Sequence, residues 1–474
     1  MTTTAPSAAV SAAPEHAARP NAVLAVLLLA GTAFAVSQTL VIPGLSAIAE
    51  HVGTDLSAAS WVITGFLLSA SVSTPILGKL GDLYGKGRVL TAVLVAFATG
   101  GAIAALAGSI EVLVAGRVLQ GVGGGIFPLA FGIVRDNFPK ERVPAGLSAV
   151  SSVFGVGAGI GLPMSGVIVD NTHTSWLFWI SLIALPAALA AWLVIPHRTD
   201  PERRTHIDWL GAGLLSSALA ALLLPVTQGA GWGWTSFRTL GLLALGAVLL
   251  AIWLRVESRV REPLIDLSLL RQRAIAATNL TTMLVGVAMF SSFLLIPQFA
   301  QTPTSAGYGF GSSVTEAGLL LVPSALAQLV AGPLAGRIGP RIGFRLVLSA
   351  GNLFSLVAFL ILILLHDHPW HFVVAGVFLG SGIATAFAAM ANLVVAATPQ
   401  SQVGIATGIN TVMRTIGGAF GSALATAILA ISTVAGTALP TEGAYIAAFT
   451  LSAVASLLAA GTALLLPRHV GSAT

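Results

Sequence analysis

Apolar stretches about as long as a bilayer is thick recur fourteen times along this chain of 474 residues, and nearly every charge lies between them. A membrane-crossing helix needs about 20 such residues, because hydrocarbon offers no partner to an open backbone and a helix satisfies its own. The chain is therefore expected to fold as an all-α polytopic membrane protein with 14 transmembrane helices. Composition excludes a soluble globule: 8% of residues are charged and mean hydropathy is +0.93, against roughly 25% charged in soluble domains. The eighth stretch is short, so length alone leaves twelve or thirteen crossings open.

The basic residues orient the bundle. With the amino terminus inside, 19 of the 22 Lys and Arg fall in cytoplasmic segments; Arg238 falls outside, and Arg117 and Arg414 lie within helices. Cytoplasmic loops collect Lys and Arg, so this distribution supports an even count with both termini cytoplasmic. Topology accounts for the net charge of +5, and without a basic patch interleaved with aromatics nucleic acid is not an expected partner. No cysteine is present, which excludes disulfide frameworks, zinc ribbons and thiol nucleophiles. An Arg-over-Lys bias and abundant Ala point to a bacterial genome, hence to the bacterial inner membrane.

Residues 1–21 are small and polar and read as a disordered cytoplasmic tail. A charged, glycine-rich turn, Gly78-Lys79-Leu80-Gly81-Asp82-Leu83-Tyr84-Gly85-Lys86-Gly87-Arg88, has a weak echo at Gly332 to Arg341. This internal repeat divides the chain into a six-helix bundle at 22–196, cytoplasmic linkers with two inserted helices at 197–275, and a second six-helix bundle at 276–474. Internal repeats of this kind mark secondary transporters, with the substrate site at the repeat interface.

Three motifs sharpen the reading. Gly78-x-Leu80-x-Asp82-x-x-Gly85-Lys86-x-Arg88 joins the second and third helices, Arg117-x-x-Gln120-Gly121-x-Gly123 lies in the fourth, and Gly157-x-x-x-Gly161-Leu162-Pro163-x-x-Gly166 lies in the fifth. Together with fourteen helices, these resemble the major facilitator superfamily, in particular its fourteen-helix drug:proton antiporter branch. Trp61 to Thr64 and Gly307-Tyr308-Gly309 also fit that branch. The resemblance implies two bundles rocking around a central site lined by helices one, two, four, five, nine, ten, twelve and thirteen. It also implies export of a hydrophobic small molecule, an antibiotic, drug or secondary metabolite, in exchange for protons, by a chain acting as a monomer.

Candidate cavity residues are Gln38, Arg117, Gln120, Asn392, Asn410 and Arg414. A guanidinium within a membrane helix costs at least ~2.5 kcal/mol, so Arg117 is expected to face a wet cavity or an internal partner, or else to snorkel to the nearby interface. Arg414 lies about ten residues into its helix, roughly 15 Å deep, and needs an internal partner; Asn410 and Asn392 can offer amide oxygens, in a coupling site or a purely structural hub. The glycines of the fifth helix permit close packing and Pro163 a bend, so Gly155, Gly157, Gly159, Gly161 and Gly166 with Pro163 read as a packing face or a hinge. By resemblance this face lies against the tenth helix. Gly417-x-x-x-Gly421 is expected to pack similarly.

The cytoplasmic gate is assigned to Gly78, Asp82, Gly85, Lys86, Arg88 and Arg135. By resemblance, Asp82 reaches the positive end of the thirteenth helix near Gly404, and Arg135; the alternative is a turn cap, with Lys86 and Arg88 fixing topology. In the repeat, Gly336 aligns with Asp82. Drug exporters of the branch usually carry an acid in the first helix, where this chain has Gln38. All 17 acids lie at loops or helix ends, leaving Asp170 and Glu316 near the outer rim as candidate proton sites. A cavity holding arginine and amides suits a neutral or anionic amphiphile. No nucleotide-binding loop is present, so neither a cofactor nor ATP is expected. His366, Asp367, His368 and His371 form an outer loop in which a metal is less expected than plain solvation. An importer or metabolite permease, and more remotely a membrane sensor or enzyme, are the competing functions.

Overall fold

The computed structural model describes residues 20–196, 208–260, 263, 265–434, 437 and 439–466. The expected tail, most of the first linker and the carboxy-terminal residues lie outside the described residues. Long helices account for nearly all the rest: α1 (Pro20–Thr39), α2 (Trp61–Tyr84), α3 (Lys86–Ala105), α4 (Ile110–Asn137), α5 (Val143–Asn171), α6 (Trp176–Val194), α7 (Trp209–Trp232), α8 (Phe237–Glu257), α9 (Arg273–Gln301), α10 (Val314–Ile342), α11 (Phe344–Leu364), α12 (Pro369–Ala397), α13 (Val403–Ile431) and α14 (Glu442–Leu464). The eighth stretch, short by sequence, is a helix of 21 residues, long enough to cross. The first crossing, α1, stops at Thr39, and Gly44 precedes a short helix over Leu45–His51.

Starts and stops follow local chemistry. Asp208, Ser236 and Thr441 accept backbone N–H groups in the first turns of α7, α8 and α14, and Ser313 with Glu316 forms a capping box at α10. Two turns require a backbone that side chains resist: Gly85 (φ +93°) separates α2 from α3, and Gly343 (φ +89°) separates α10 from α11. These are the equivalent turns of the repeat. Setting them level brings Gly336 opposite Gly78 and Pro340 opposite Asp82. The expected alignment of Gly336 with Asp82 was therefore one helical turn out, an error made easy by glycines at 332, 336, 339 and 343.

The ends of the helices alternate, and Lys79, Lys86, Arg88, Arg135, Arg337, Arg341 and Arg345 gather at one of them, called here the basic end; the other is the far end. In the first half α1 packs on α5 and α3 on α4 and α6; in the second α9 packs on α13 and α14, and α11 on α12 and α14. Between the halves run two seams, α5 against α10 and α2 against α13. The inserted helices α7 and α8 pack on each other, and α7 rests on the α2–α13 seam, where Ala212 and Leu215 join Ile405 and Val412 in one buried cluster.

Candidate functional site

Three small cavities follow one another between the halves. Leu67, Phe290 and Thr415 line both the first and the second, and Thr411 and Arg414 both the second and the third. They hold about 60, 20 and 20 Å³, room for a few waters and a single water respectively, so the pathway is contracted in this state. Their walls come from α1, α2, α4, α5, α9, α12 and α13; α10 is not among them, and α7 is added. No Asp, Glu or Lys lines any of the three.

Arg414 stands between the second and third cavities, 9% exposed, with its guanidinium carbon 4.9 Å from the centre of the Phe387 ring. Gln38 lines the second cavity with it, and Asn410 the third. The expected amide partners are otherwise engaged on their nitrogen side. Asn410 donates to Asn279 Oδ1 (2.9 Å) and Thr282 Oγ1 (2.7 Å) of α9, and Asn392 donates to Ser148 Oγ (3.2 Å) and Pro144 O (3.4 Å) of α5. Asn392 thus ties α12 to α5 near the basic end.

Arg117 is 1% exposed, which excludes snorkelling. It donates to Val62 O (3.1 Å), Ser37 O (3.4 Å) and Gln120 Oε1 (2.7 Å), linking α4 to α1 and α2. Its guanidinium lies 4.1 Å from the Phe66 ring centre, and Phe66 stacks on Phe34, which lines the second cavity. Arg117 and Gln120 therefore sit one aromatic layer behind the cavity wall. A buried cation over a ring face is stabilised by the ring quadrupole, while the carbonyls replace its lost water.

The small face of α5 divides in two, so the expected contact with the tenth helix holds for Gly155, Gly159, Pro163 and Gly166 and is corrected for Gly157 and Gly161. A Cβ on Gly157 or Gly161 would meet Ala35 or Thr39 of α1, and Thr39 Oγ1 donates to Gly157 O (3.2 Å). The tenth helix is met by Gly155, Gly159, Pro163 and Gly166, which face Gln328, Ala325, Gly318 and Thr315. Every fourth residue on two adjacent faces is small because α5 is wedged between two backbones. Gly417 and Gly421 bring α13 onto the Met283 and Val287 backbone of α9 in the same manner.

At the basic end Gly78 lies against the Gly404 carbonyl, and Asp82 Oδ2 is 3.1 Å from where a Gly404 Cβ would stand. The carboxylate thus lies over the first turn of α13, the positive end of its dipole. Lys86 pairs with Asp82 (3.1 Å) and Asp136 (2.7 Å), and Gln400 donates to Asp136 (3.1 Å). Arg135 does not take Asp82 as its partner: it donates to Val395 O (2.8 Å) and Thr398 O (2.6 Å) at the end of α12. The physical reason is reach, since α12 ends beside α4 and the carbonyls of its last turn, at the negative end of its dipole, attract a cation. Arg88 is exposed at the start of α3.

At the far end Thr315 Oγ1 of α10 donates to Asp170 Oδ2 (2.9 Å) of α5, and Glu316 is held in its capping box. His366 Nε2 lies 2.7 Å from Glu442, and no cluster able to hold a metal occurs among the described residues.

Comparison with known proteins decides the family. The profile of the Major Facilitator Superfamily matches residues 27–309 and 280–473. The chain belongs to the Major Facilitator Superfamily. Among relatives of this superfamily, an uncharacterized MFS-type transporter of Mycobacterium tuberculosis is 28% identical over 431 residues, 89% of this chain and 61% of that protein. The chain thus spans about three fifths of that relative's length. The tetracenomycin C resistance and export protein of Streptomyces glaucescens is 28% identical over 416 residues, 87% of this chain and 76% of the relative. The multidrug resistance protein Stp of M. tuberculosis is 30% identical over 373 residues, 78% and 68% of the two chains. The crystal structure of the human organic anion transporter MFSD10 (TETRAN) superposes with a TM-score of 0.64 over 94% of this chain and 99% of its own, at 18% identity, which speaks to the fold.

Within this Major Facilitator chain, sequence reasoning missed Gln228, Asp136, Gln400 and the Phe34–Phe66 pair. Gln228 carried a legible signal, since an amide inside an apolar run must find an internal partner. The aromatic pair carried none, being indistinguishable from ordinary core.

Proposed function

We propose that this protein is a secondary active exporter of hydrophobic, neutral or anionic small molecules, working by alternating access in the bacterial inner membrane. The observation that carries this reading is the chain of cavities between the halves, free of acid and holding Arg414, with the basic end closed beneath it. The 22–196 and 276–474 halves rock about this interface, and the inserted pair rides beside it. Export is supported by the relatives named for multidrug resistance and tetracenomycin C export. In this state the basic end, cytoplasmic by the positive-inside rule, is held shut by Arg135, Asp82 and the Gly78–Gly404 contact. To load from the cytoplasm, α4 must leave α12 and α2 must leave α13. On release at the far end these contacts reform, so closure is renewed each cycle.

Protons are the driving ion in this reading, and Asp170, bonded to Thr315 across the α5–α10 seam, is the carboxylate best placed to link protonation to movement. The test is transport by the purified full chain in proteoliposomes with an imposed pH gradient, using the neutral lipophilic amine N-phenyl-1-naphthylamine and an anionic naphthalenesulfonate analogue. Uptake that accelerates with the gradient and moves protons in the opposite direction is expected. Equal rates with and without the gradient would remove the antiport mechanism.

A further inference from the structure

The inserted helix α7 contributes to the first cavity with Leu223 and Thr227, one turn apart on the same face. Its rotation about its own axis is set by Gln228, 7% exposed, whose Nε2 donates to Thr64 Oγ1 (2.9 Å) and Ser60 Oγ (3.2 Å) of α2. This clasp holds Leu223 and Thr227 toward the interior rather than toward lipid. Of the four hydroxyls on the wall, Thr64 receives the Gln228 amide and the other three share one polarity. Thr227 donates to Leu224 O (3.0 Å), Thr415 to Thr411 O (3.2 Å) and Ser422 to Gly418 O (2.8 Å). The proton of each of these three is engaged with its own helix, so each of their oxygens presents a lone pair to the cavity. The remaining wall is apolar, with Leu67, Leu68, Leu223 and Phe290.

We infer that α7 is part of the binding wall, and that this wall selects uncharged, largely apolar molecules carrying a hydrogen-bond donor such as an amine N–H, amide N–H or hydroxyl. Leu223 sets the size accepted and Thr227 reads the donor. The inference rests on the transport reading above and deepens it. It assigns α7 of the inserted pair a part in selection, beyond spacing the two halves.

The test compares N-phenyl-1-naphthylamine, which carries one N–H, with its N-methyl derivative, which lacks it, by fluorescence titration of the full chain in detergent. Leu223→Trp is expected to weaken binding of both by about tenfold through lost volume. Thr227→Val is expected to weaken only the N–H compound, by about fivefold. Val248→Trp, on the exposed face of α8, serves as the control and should bind as the wild type does. Because the chain has no cysteine, Leu223→Cys gives a second readout that does not depend on tolerance of a large side chain. Its reaction with N-ethylmaleimide should slow when the probe is bound. Unchanged titrations for both cavity variants, or unprotected Leu223→Cys, with a wild type that binds saturably, would overturn the inference and leave the transport reading standing. Loss of both probes equally in Thr227→Val would overturn the donor assignment. A wild type that neither binds nor carries either probe would remove the transport reading and this inference together.

Discussion

Arg135 reaches across the interface to the last turn of α12, where two backbone carbonyls receive it. Charge-assisted hydrogen bonds of this kind contribute about 1.5–3 kcal/mol each, and the cation also meets the negative end of the helix. Arg135→Ala is therefore expected to weaken closure of the basic end by about 2 kcal/mol after partial solvation of the freed carbonyls. Arg135→Lys should restore only part, because the one guanidinium nitrogen that meets both carbonyls lies a bond farther from the backbone than a lysine ammonium would. The readout is maleimide labelling of a cysteine placed at Thr411, which lines the second and third cavities, in membranes with the basic end accessible. Labelling should rise by more than tenfold in Arg135→Ala. Asp82→Asn should raise it less, since Lys86 keeps Asp136. If Asp82→Asn changes neither labelling nor transport, Asp82 is a turn cap and the gate rests on Arg135 and the glycine contact.

The helix α5 shows what a sequence of small residues can and cannot convey. Its glycines announced a close approach, yet not to which neighbour, because two faces of the same helix are equally small and each meets a different backbone. Helix number was legible, since a bilayer demands about 20 apolar residues, and so was the gathering of Arg and Lys at one end of the bundle. The partners of Arg135 were not legible, because a carbonyl at a helix end has no residue type to mark it. Nor was the level of the second turn, where glycines at successive helical turns offered several registers. Overpacking a well-filled contact costs about 1–3 kcal/mol. Gly159→Val, meeting Ala325, and Gly157→Val, meeting Ala35, should each lower stability by that amount in thermal unfolding. They should differ in transport, because only Gly159→Val parts the two halves. Pro163→Ala separates packing from bending: unchanged stability with slowed transport is expected of a hinge, and unchanged transport would leave α5 a packing element only.

At the scale of the whole molecule, alternating access requires the contacts that bridge the halves at the basic end away from the α5–α10 seam to break together. Besides Arg135, these include Gln400 with Asp136, Asn392 with Ser148, and Gly78 with Gly404. A cysteine pair at Asp136 and Gln400, joined by a short bifunctional thiol reagent, should reduce transport by more than tenfold, with recovery when a cleavable linker is reduced. Transport that persists in the linked protein would mean that this end does not open. The two seams are not alike. Along α5–α10 contact runs without a break from Ser148 and Gly336 at one end to Gly166 and Thr315 at the other. Along α2–α13 it is tight at Gly78 and Gly404, and a cavity opens between the helices above it. The molecule is thus bound like a book, with its spine on one side only. A far-face opening that parts the looser α2–α13 seam would widen the outline in the membrane on the flank where α7 lies, and the work against the lateral pressure of the lipid would then fall on the inserted pair rather than on the spine.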